Sequence, residues 1–251
     1  EETDSMEISL LTDVGQKRTN NQDYANLFVN RAGKTLIILA DGMGGHRAGN
    51  IASEMAVTDL GAAWVDTQID SVNQVREWFA EHLEEENQRI HQFGQDEEYK
   101  GMGTTLEALA IIDNQAIYAH IGDSRIGLIR GDEYRQLTND HSLVNALLKA
   151  GQITPEEAER HPQKNIITQS IGQKDEVQPD YGMITLEDGD YLLLNSDGLT
   201  NMISDSEICD IVTSDISLSE KTETLIRFAN NAGGLDNITV ALVRFDKEDK
   251  A

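Results

Sequence analysis

Apolar positions in this chain come in short runs broken by glycine, asparagine and aspartate, and these runs are grouped in blocks between segments of helical period. Runs rich in β-branched and aromatic residues predict strands over 6–12, 24–29, 35–40, 105–112, 116–121, 125–129, 181–185, 191–195 and 238–245. Several neighbours are separated only by a few turn residues, as at Asp113-Asn114-Gln115 and Gly122-Asp123-Ser124. Links that short permit hairpins, so largely antiparallel pairing is expected.

The 3.6-residue period predicts helices over 48–64, 72–92, 143–150, 154–160, 205–212 and 219–232. Thr154-Pro155-Glu156-Glu157 is a helix start, with Thr154 as N-cap and proline at the first helical position. The acidic run Glu84-Glu85-Glu86 falls inside a helical pattern and reads as a solvated face. Strands clustered together with helices grouped between them indicate an α+β fold, in which two antiparallel sheets packed face to face with helices outside form a four-layer αββα sandwich. At 251 residues, without a repeat or a convincing linker, one domain is expected. Residues 1–5 are unlike the patterned sequence after them and read as a frayed or non-native extension, with Met6 as the native start.

Composition narrows the chemistry. Forty-five acidic against twenty basic residues give a formal net charge of −25, which repels nucleic acid and anionic membrane surfaces and favours cation capture wherever carboxylates converge. The apolar runs fall far short of the ~18 residues needed to span a bilayer, and the opening residues do not read as a secretory leader, so none is expected. Cys209 is the only cysteine, which excludes a disulfide framework and suits the reducing cytoplasm. A cysteine phosphatase would need an arginine six residues beyond its thiol, where Asp215 stands, so Cys209 reads as a small buried helix residue. No phosphate-binding Walker loop and no His-Glu-x-x-His helix occur.

The informative positions are aspartates at strand ends. The apolar run Ile37-Ile38-Leu39-Ala40 stops at Asp41-Gly42, and Leu192-Leu193-Leu194 leads into Asn195-Ser196-Asp197-Gly198. Asp123 follows Gly122, and Asp236 lies in Gly234-Leu235-Asp236-Asn237. One Asp-Gly at a strand end is usually a tight turn. Four such aspartates, two of them after wholly apolar strands, point instead to hard oxygen ligands for Mg²⁺ or Mn²⁺.

Six motifs in order then carry a resemblance: Arg18-Thr19-Asn20-Asn21-Gln22-Asp23, Asp41-Gly42-Met43-Gly44-Gly45-His46, Gly101-Met102-Gly103-Thr104-Thr105, Gly122-Asp123-Ser124-Arg125, Asn195-Ser196-Asp197-Gly198-Leu199-Thr200 and Gly234-Leu235-Asp236-Asn237-Ile238-Thr239. The chain resembles a bacterial member of the PPM family, the metal-dependent protein phosphatases of type 2C, over residues 6 to about 243. The resemblance implies a phosphatase domain over 6–247 and a metal site at one end of the β-sandwich. It implies hydrolysis of phosphoserine and phosphothreonine by in-line attack of a water or hydroxide shared between two divalent cations. By position, Asp41 would bridge the cations, the Gly42 carbonyl would bind the second, and Asp197 and Asp236 would complete the first. Asp123, with Asp197, would serve a third, weaker site, and Asp23 would hold a water of the hydration shell.

Arg18 is the candidate for gripping the transferred phosphoryl oxygens, because a guanidinium fork matches them. Arg125 reads as the partner of a carboxylate. Eukaryotic relatives carry histidine directly after the Asp-Gly, where Met43 stands here, so proton donation to the leaving oxygen falls to His46, to His161 or to a water. Gln22 replaces a glutamate found in many relatives. Segment 140–172 matches a mobile flap beside the active site, with Asp140 as cap of its first helix. The implied partners are phosphoproteins and a cognate serine/threonine kinase. A catalytically silent phosphoprotein-binding relative and a hydrolase of small phosphate esters are the alternatives.

Overall fold

The computed structural model describes residues 4–45 and 47–247. His46 lies outside the described residues. The chain opens with β1 (Asp4–Asp13), β2 (Asp23–Val29) and β3 (Thr35–Met43), followed by α1 (Ala48–Val65) and α2 (Val72–Phe93). After a short 3₁₀ turn at Glu97–Tyr99 come β4 (Gly103–Thr104), β5 (Leu106–Ile112), β6 (Gln115–Ile121), β7 (Arg125–Arg130) and β8 (Glu133–Gln136). The helices α3 (Leu143–Lys149) and α4 (Pro155–Glu159) precede β9 (Asp180–Thr185) and β10 (Asp190–Asn195). The chain ends with α5 (Asp197–Thr200), α6 (Asp205–Val212), α7 (Leu218–Asn231) and β11 (Ile238–Lys247).

Two antiparallel sheets form the middle of the molecule, one ordered β1-β11-β10-β7-β8 and the other β2-β3-β5-β6-β9, with β4 paired to β3. Their strands read as nearly unbroken apolar runs because both faces are covered, one by the other sheet and one by helices. In β3, Ile37 and Leu39 face the opposite sheet, where they meet Leu192, Leu194, Ala241 and Val243. Leu36, Ile38 and Ala40 face the other way, against Val57, Leu60 and Trp64 of α1 and Phe79 and Leu83 of α2. On the second sheet, Leu193, Val240 and Leu242 pack under Ile208, Val212, Leu225 and Ile226 of α6 and α7. Three stacked apolar layers thus make the αββα sandwich that the sequence predicts.

Most helix starts are fixed locally. Ser71, Ser142, Thr154, Ser204 and Ser217 each accept the amide three residues on, and Ser217 with Glu220 completes a capping box.

Four expectations change. Gly122-Asp123-Ser124 does not close a hairpin: β6 belongs to one sheet and β7 to the other, so these residues step the chain between layers. Ser142 caps α3, because the Asp140 carboxylate is already held by Arg125. Glu86 is not on a solvated face: it is 1% exposed, accepts a hydrogen bond from Arg89, and burial followed by the nearby Asp59 raises its carboxyl to about 9. The first strand starts before Met6, with Ser5 paired to Asp246.

Candidate active site

The sandwich delivers its aspartates to one end. The apolar strand β3 carries Asp41 near its C-terminal end, and β10, ending at Asn195, leads through Ser196 into Asp197, the first residue of α5. Asp23 opens β2 directly opposite Asp41 in the strand register. Asp236 precedes β11, and Asp123 occupies the step between the sheets. The carboxyl of Asp41 is pushed well above its ordinary value, first by burial and then by the charges of Asp23, Asp197, Asp123 and Asp236. Burial, then the charge of Asp197, drives Asp123 upward, and burial with the charge of Asp236 does the same to Asp197. Buried carboxylates that repel one another in this way are costly unless a cation neutralises them.

Asp23 is held most tightly. Ser196 Oγ and Thr239 Oγ1 donate to its Oδ2 at 2.9 and 2.7 Å, the Thr239 amide donates to Ser196 Oγ at 3.0 Å, and Thr12 and Thr239 share a 2.7 Å hydroxyl contact. Burial nevertheless raises Asp23 to about 6 against these hydrogen bonds. Asp23 Oδ1 and Asp197 Oδ1 are both buried and have no hydrogen-bond partner among the described residues. Orphaned carboxylate oxygens are what a divalent cation and its water ligands satisfy, so this donor set fits Mg²⁺ or Mn²⁺.

The supporting backbone is close-packed. A Cβ on Gly198 would stand 1.9 Å from the Asn237 carbonyl oxygen, so only glycine brings Asp197 this near to Asp236 and Asn237. Asn237 laces the 14–22 loop to β11: its Oδ1 accepts the Gln22 amide at 2.9 Å, and its Nδ2 donates to the carbonyls of Val14 and Asn20 at 2.9 and 3.0 Å. The Gly42 amide donates to the Gln22 carbonyl at 2.9 Å, and the Gln22 side-chain amide reaches the Gly44 carbonyl at 3.4 Å. The position that is acidic in many relatives is therefore spent here on backbone packing.

Arg18 lies at the site, its Nε 3.5 Å from Asp236 Oδ1, with the side chain half exposed. Arg125 forks onto Asp140 through bonds of 3.0 and 2.8 Å. A groove of about 1090 Å³ opens beside Asp123 and Asp197 and runs between segment 140–172, at Val144, Leu148 and Lys164, and the start of α6. His161 follows α4, where its Nδ1 accepts the Gln163 amide at 3.0 Å, and it is not among the residues lining this groove. Ser196, Thr239, Thr105 and Asn237 escaped assignment from sequence. Ser196, Asn237 and Thr239 are signalled only by a hydroxyl or amide within an aspartate motif, and Thr105, in Gly101-Met102-Gly103-Thr104-Thr105, stands beside no aspartate.

An αββα sandwich whose aspartates converge, half-buried around the buried Asp23, at one end defines a cation-binding hydrolase architecture. The protein phosphatase 2C family profile matches residues 14–241, and the chain belongs to that family. It is 84% identical over 244 residues to "Protein phosphatase PhpP" of Streptococcus pneumoniae serotype 2 (strain D39), spanning 97% of this chain and 99% of that protein. The structure superposes on the S. agalactiae serine/threonine phosphatase with a TM-score of 0.94 at 61% identity, covering 95% of this chain and 99% of that one. It also superposes on the catalytic domain of the serine/threonine protein phosphatase PstP in complex with two manganese ions, with a TM-score of 0.83 at 32% identity over 97% of this chain and 100% of that one.

Proposed function

We propose that residues 6–247 act as one metal-dependent protein serine/threonine phosphatase domain with 140–172 as its flap, opposing a serine/threonine kinase in the cytoplasm. The observation that carries this reading is the convergence of buried Asp23 with half-buried Asp41, Asp123 and Asp197, carboxylate oxygens of Asp23 and Asp197 being left free. Asp41, the Gly42 carbonyl, Asp197 and Asp236 would hold a pair of Mn²⁺ or Mg²⁺ ions, and Asp123 with Asp197 a third. When bound, the pair supplies charge neutralisation for the phosphoryl group and a water acidified toward neutrality.

The remaining work falls to side chains. Asp23, pinned through Oδ2 by Ser196 and Thr239, keeps Oδ1 free to accept a hydrogen bond from the attacking water and so to orient it in line with the leaving oxygen. Arg18 swings from Asp236 to the phosphoryl oxygens, where charge accumulates in the transition state. His46, five residues beyond Asp41, gives its proton to the departing serine or threonine oxygen, and His161 serves the flap rather than the reacting atoms. The cytoplasmic assignment is supported by Cys209, a free thiol buried in α6, where burial raises its pKa and keeps it unreactive.

Phosphate release from a phosphothreonine peptide, compared in Mn²⁺ and in EDTA, tests the reading. Release that needs the metal and collapses in Asp197→Ala is expected. Equal release in EDTA would sink it. The assignment of His46 has its own test: His46→Gln should slow release from phosphothreonine peptides much more than from p-nitrophenyl phosphate, whose leaving group needs no proton. Equal slowing of both would remove His46 from that role.

A further inference from the structure

Outside the aspartate cluster, His120, His141 and Asp180 bring ligand-type atoms within 4.8 Å of one another, the spacing of a metal site. His120 has no nitrogen to give. Its Nδ1 lies 2.6 Å from Glu107 Oε1 and its Nε2 lies 2.7 Å from the Asn139 carbonyl oxygen, and both side chains are fully buried. A carbonyl only accepts, so Nε2 carries hydrogen. One further proton sits between Nδ1 and Glu107, and on either partner it leaves Nε2–H directed at Asn139. Burial alone would depress the imidazole, but the Glu107 charge and hydrogen bond lift it to about 9.

The segment that His120 grips is the root of the flap, and that root clasps the step between the sheets on both sides of Asp123. His141 donates its amide to the Gly122 carbonyl at 2.7 Å and accepts the Gly122 amide on Nδ1 at 3.0 Å. Asp140 takes the Arg125 fork, and Thr138 Oγ1 accepts the Ile126 amide at 3.2 Å. From the step itself, Ser124 Oγ meets Thr105 Oγ1 at 2.9 Å, and Thr105 Oγ1 accepts the Asp41 amide at 3.0 Å. Gly122 makes this geometry possible with a φ of +109°. The flap leaves from the same segment, with Asn145 Nδ2 on the Asp140 carbonyl at 2.8 Å and the Thr168 amide on the His141 carbonyl at 2.9 Å.

We propose that His120, oriented by Glu107, is a positioning residue for the phosphatase reaction: through Asn139, Asp140 and His141 it fixes Asp123 and the flap root relative to Asp41. It touches neither substrate nor cation. The inference rests on the phosphatase reading and adds to it a single anchor shared by Asp123 and the flap.

The test uses the full chain and a phosphothreonine peptide, measuring kcat, KM, the Mn²⁺ concentration giving half-maximal rate, and Tm. His120→Gln and Glu107→Leu should each lower kcat roughly 10- to 100-fold and raise the Mn²⁺ requirement, with KM within about twofold, the range seen when groups orienting a site's ligands are removed. Glu107→Gln, whose amide donates to Nδ1 and keeps Nε2–H on Asn139, should recover most of the kcat lost in Glu107→Leu. Should His120→Gln fail to fold, Arg125→Lys takes its place, since it keeps the charge, loses the fork and lies partly exposed. Arg125→Lys should show the same loss of kcat and the same rise in Mn²⁺ requirement. Variants that lose Tm while keeping wild-type kcat and Mn²⁺ dependence would overturn the proposal, and so would an Arg125→Lys protein indistinguishable from wild type. A wild-type protein silent in Mn²⁺ would instead fail the phosphatase reading itself.

Discussion

Arg18 Nε lies 3.5 Å from Asp236 Oδ1, so the one guanidinium proposed to grip phosphate rests on a carboxylate proposed to grip metal. The two roles compete for the same atoms. Cations held by the cluster would draw Asp236 to them and leave the guanidinium free for the phosphoryl oxygens. Arg18→Ala should therefore lower kcat/KM for a phosphothreonine peptide by roughly 10- to 100-fold, the loss expected for a charge-assisted hydrogen bond. Its Mn²⁺ requirement should stay level or fall, because Asp236 loses a competing cation. Steady-state assays across a Mn²⁺ titration check both. A raised Mn²⁺ requirement with unchanged kcat/KM would make Arg18 a structural partner of Asp236 and nothing more.

The metal-free cluster gives the fold a pH dependence of definite sign. Burial raises Asp23 from its ordinary 3.8 to about 6, and Asp41, Asp123 and Asp197 move the same way. A carboxyl whose folded value lies above its unfolded one helps the fold while protonated, and that help is lost as pH rises through the folded value. In EDTA, Tm should fall as pH climbs from about 4 to beyond about 6. In saturating Mn²⁺ the trend should flatten or reverse, since ligands bind only when deprotonated. Thermal melts in both conditions decide it, and a metal-free Tm that rises across this window would contradict the mutual repulsion of the cluster.

How far the sequence reaches is clear from particular elements. Strands such as β3 and β10 were legible because burial on both faces leaves an unbroken apolar run, and Asp41 and Asp197 were legible because they interrupt it. β4, β8 and α5 were not, since two to four residues hold no period, and β4 is fixed by pairing to β3, distant in the chain. The step at Gly122-Asp123-Ser124 has the length and glycine of a hairpin. Only the packing of β6 and β7 into different sheets makes it a crossing, and packing is not written in three residues. Ser196 and Thr239 look like ordinary strand hydroxyls until Asp23, far away in sequence, is folded onto them.

The burial of Glu86 does have a signal in the sequence. Val75, Phe79, Leu83, Glu86 and Ile90 lie in one helical phase, and all are buried in α2. The phase outweighs the charge of the run, so the carboxyl goes inside and stays protonated up to about 9 instead of its ordinary 4.5. The unfolded chain releases that proton above 4.5 while the folded one keeps it, so wild type should lose stability steadily between these values. Glu86→Gln, which mimics the protonated form, should melt above wild type by a margin that grows from pH 5 toward pH 9. A constant margin across that range would show that Glu86 is ionised in the fold, held by Arg89.

Gly198 tests whether backbone contact, and not only carboxylate chemistry, sets the site. It follows Asp197 and packs so closely on the Asn237 carbonyl that an added methyl would stand 1.9 Å from that oxygen. Neither neighbour yields easily: Asn237 is pinned by the loop carbonyls of Val14 and Asn20, and Asp197 opens α5. Gly198→Ala must push β11 away from α5, at a cost of about 1–3 kcal/mol typical of overpacking. That movement separates Asp197 from Asp236. The expected outcome is a lower Tm together with a Mn²⁺ requirement raised by roughly tenfold or more, read from activity and from calorimetric titration of Mn²⁺ into the apoprotein. A variant that melts lower but binds Mn²⁺ as wild type does would mean that the two carboxylates can close on the ion across a looser backbone, and that their spacing is set by the metal and not by the glycine.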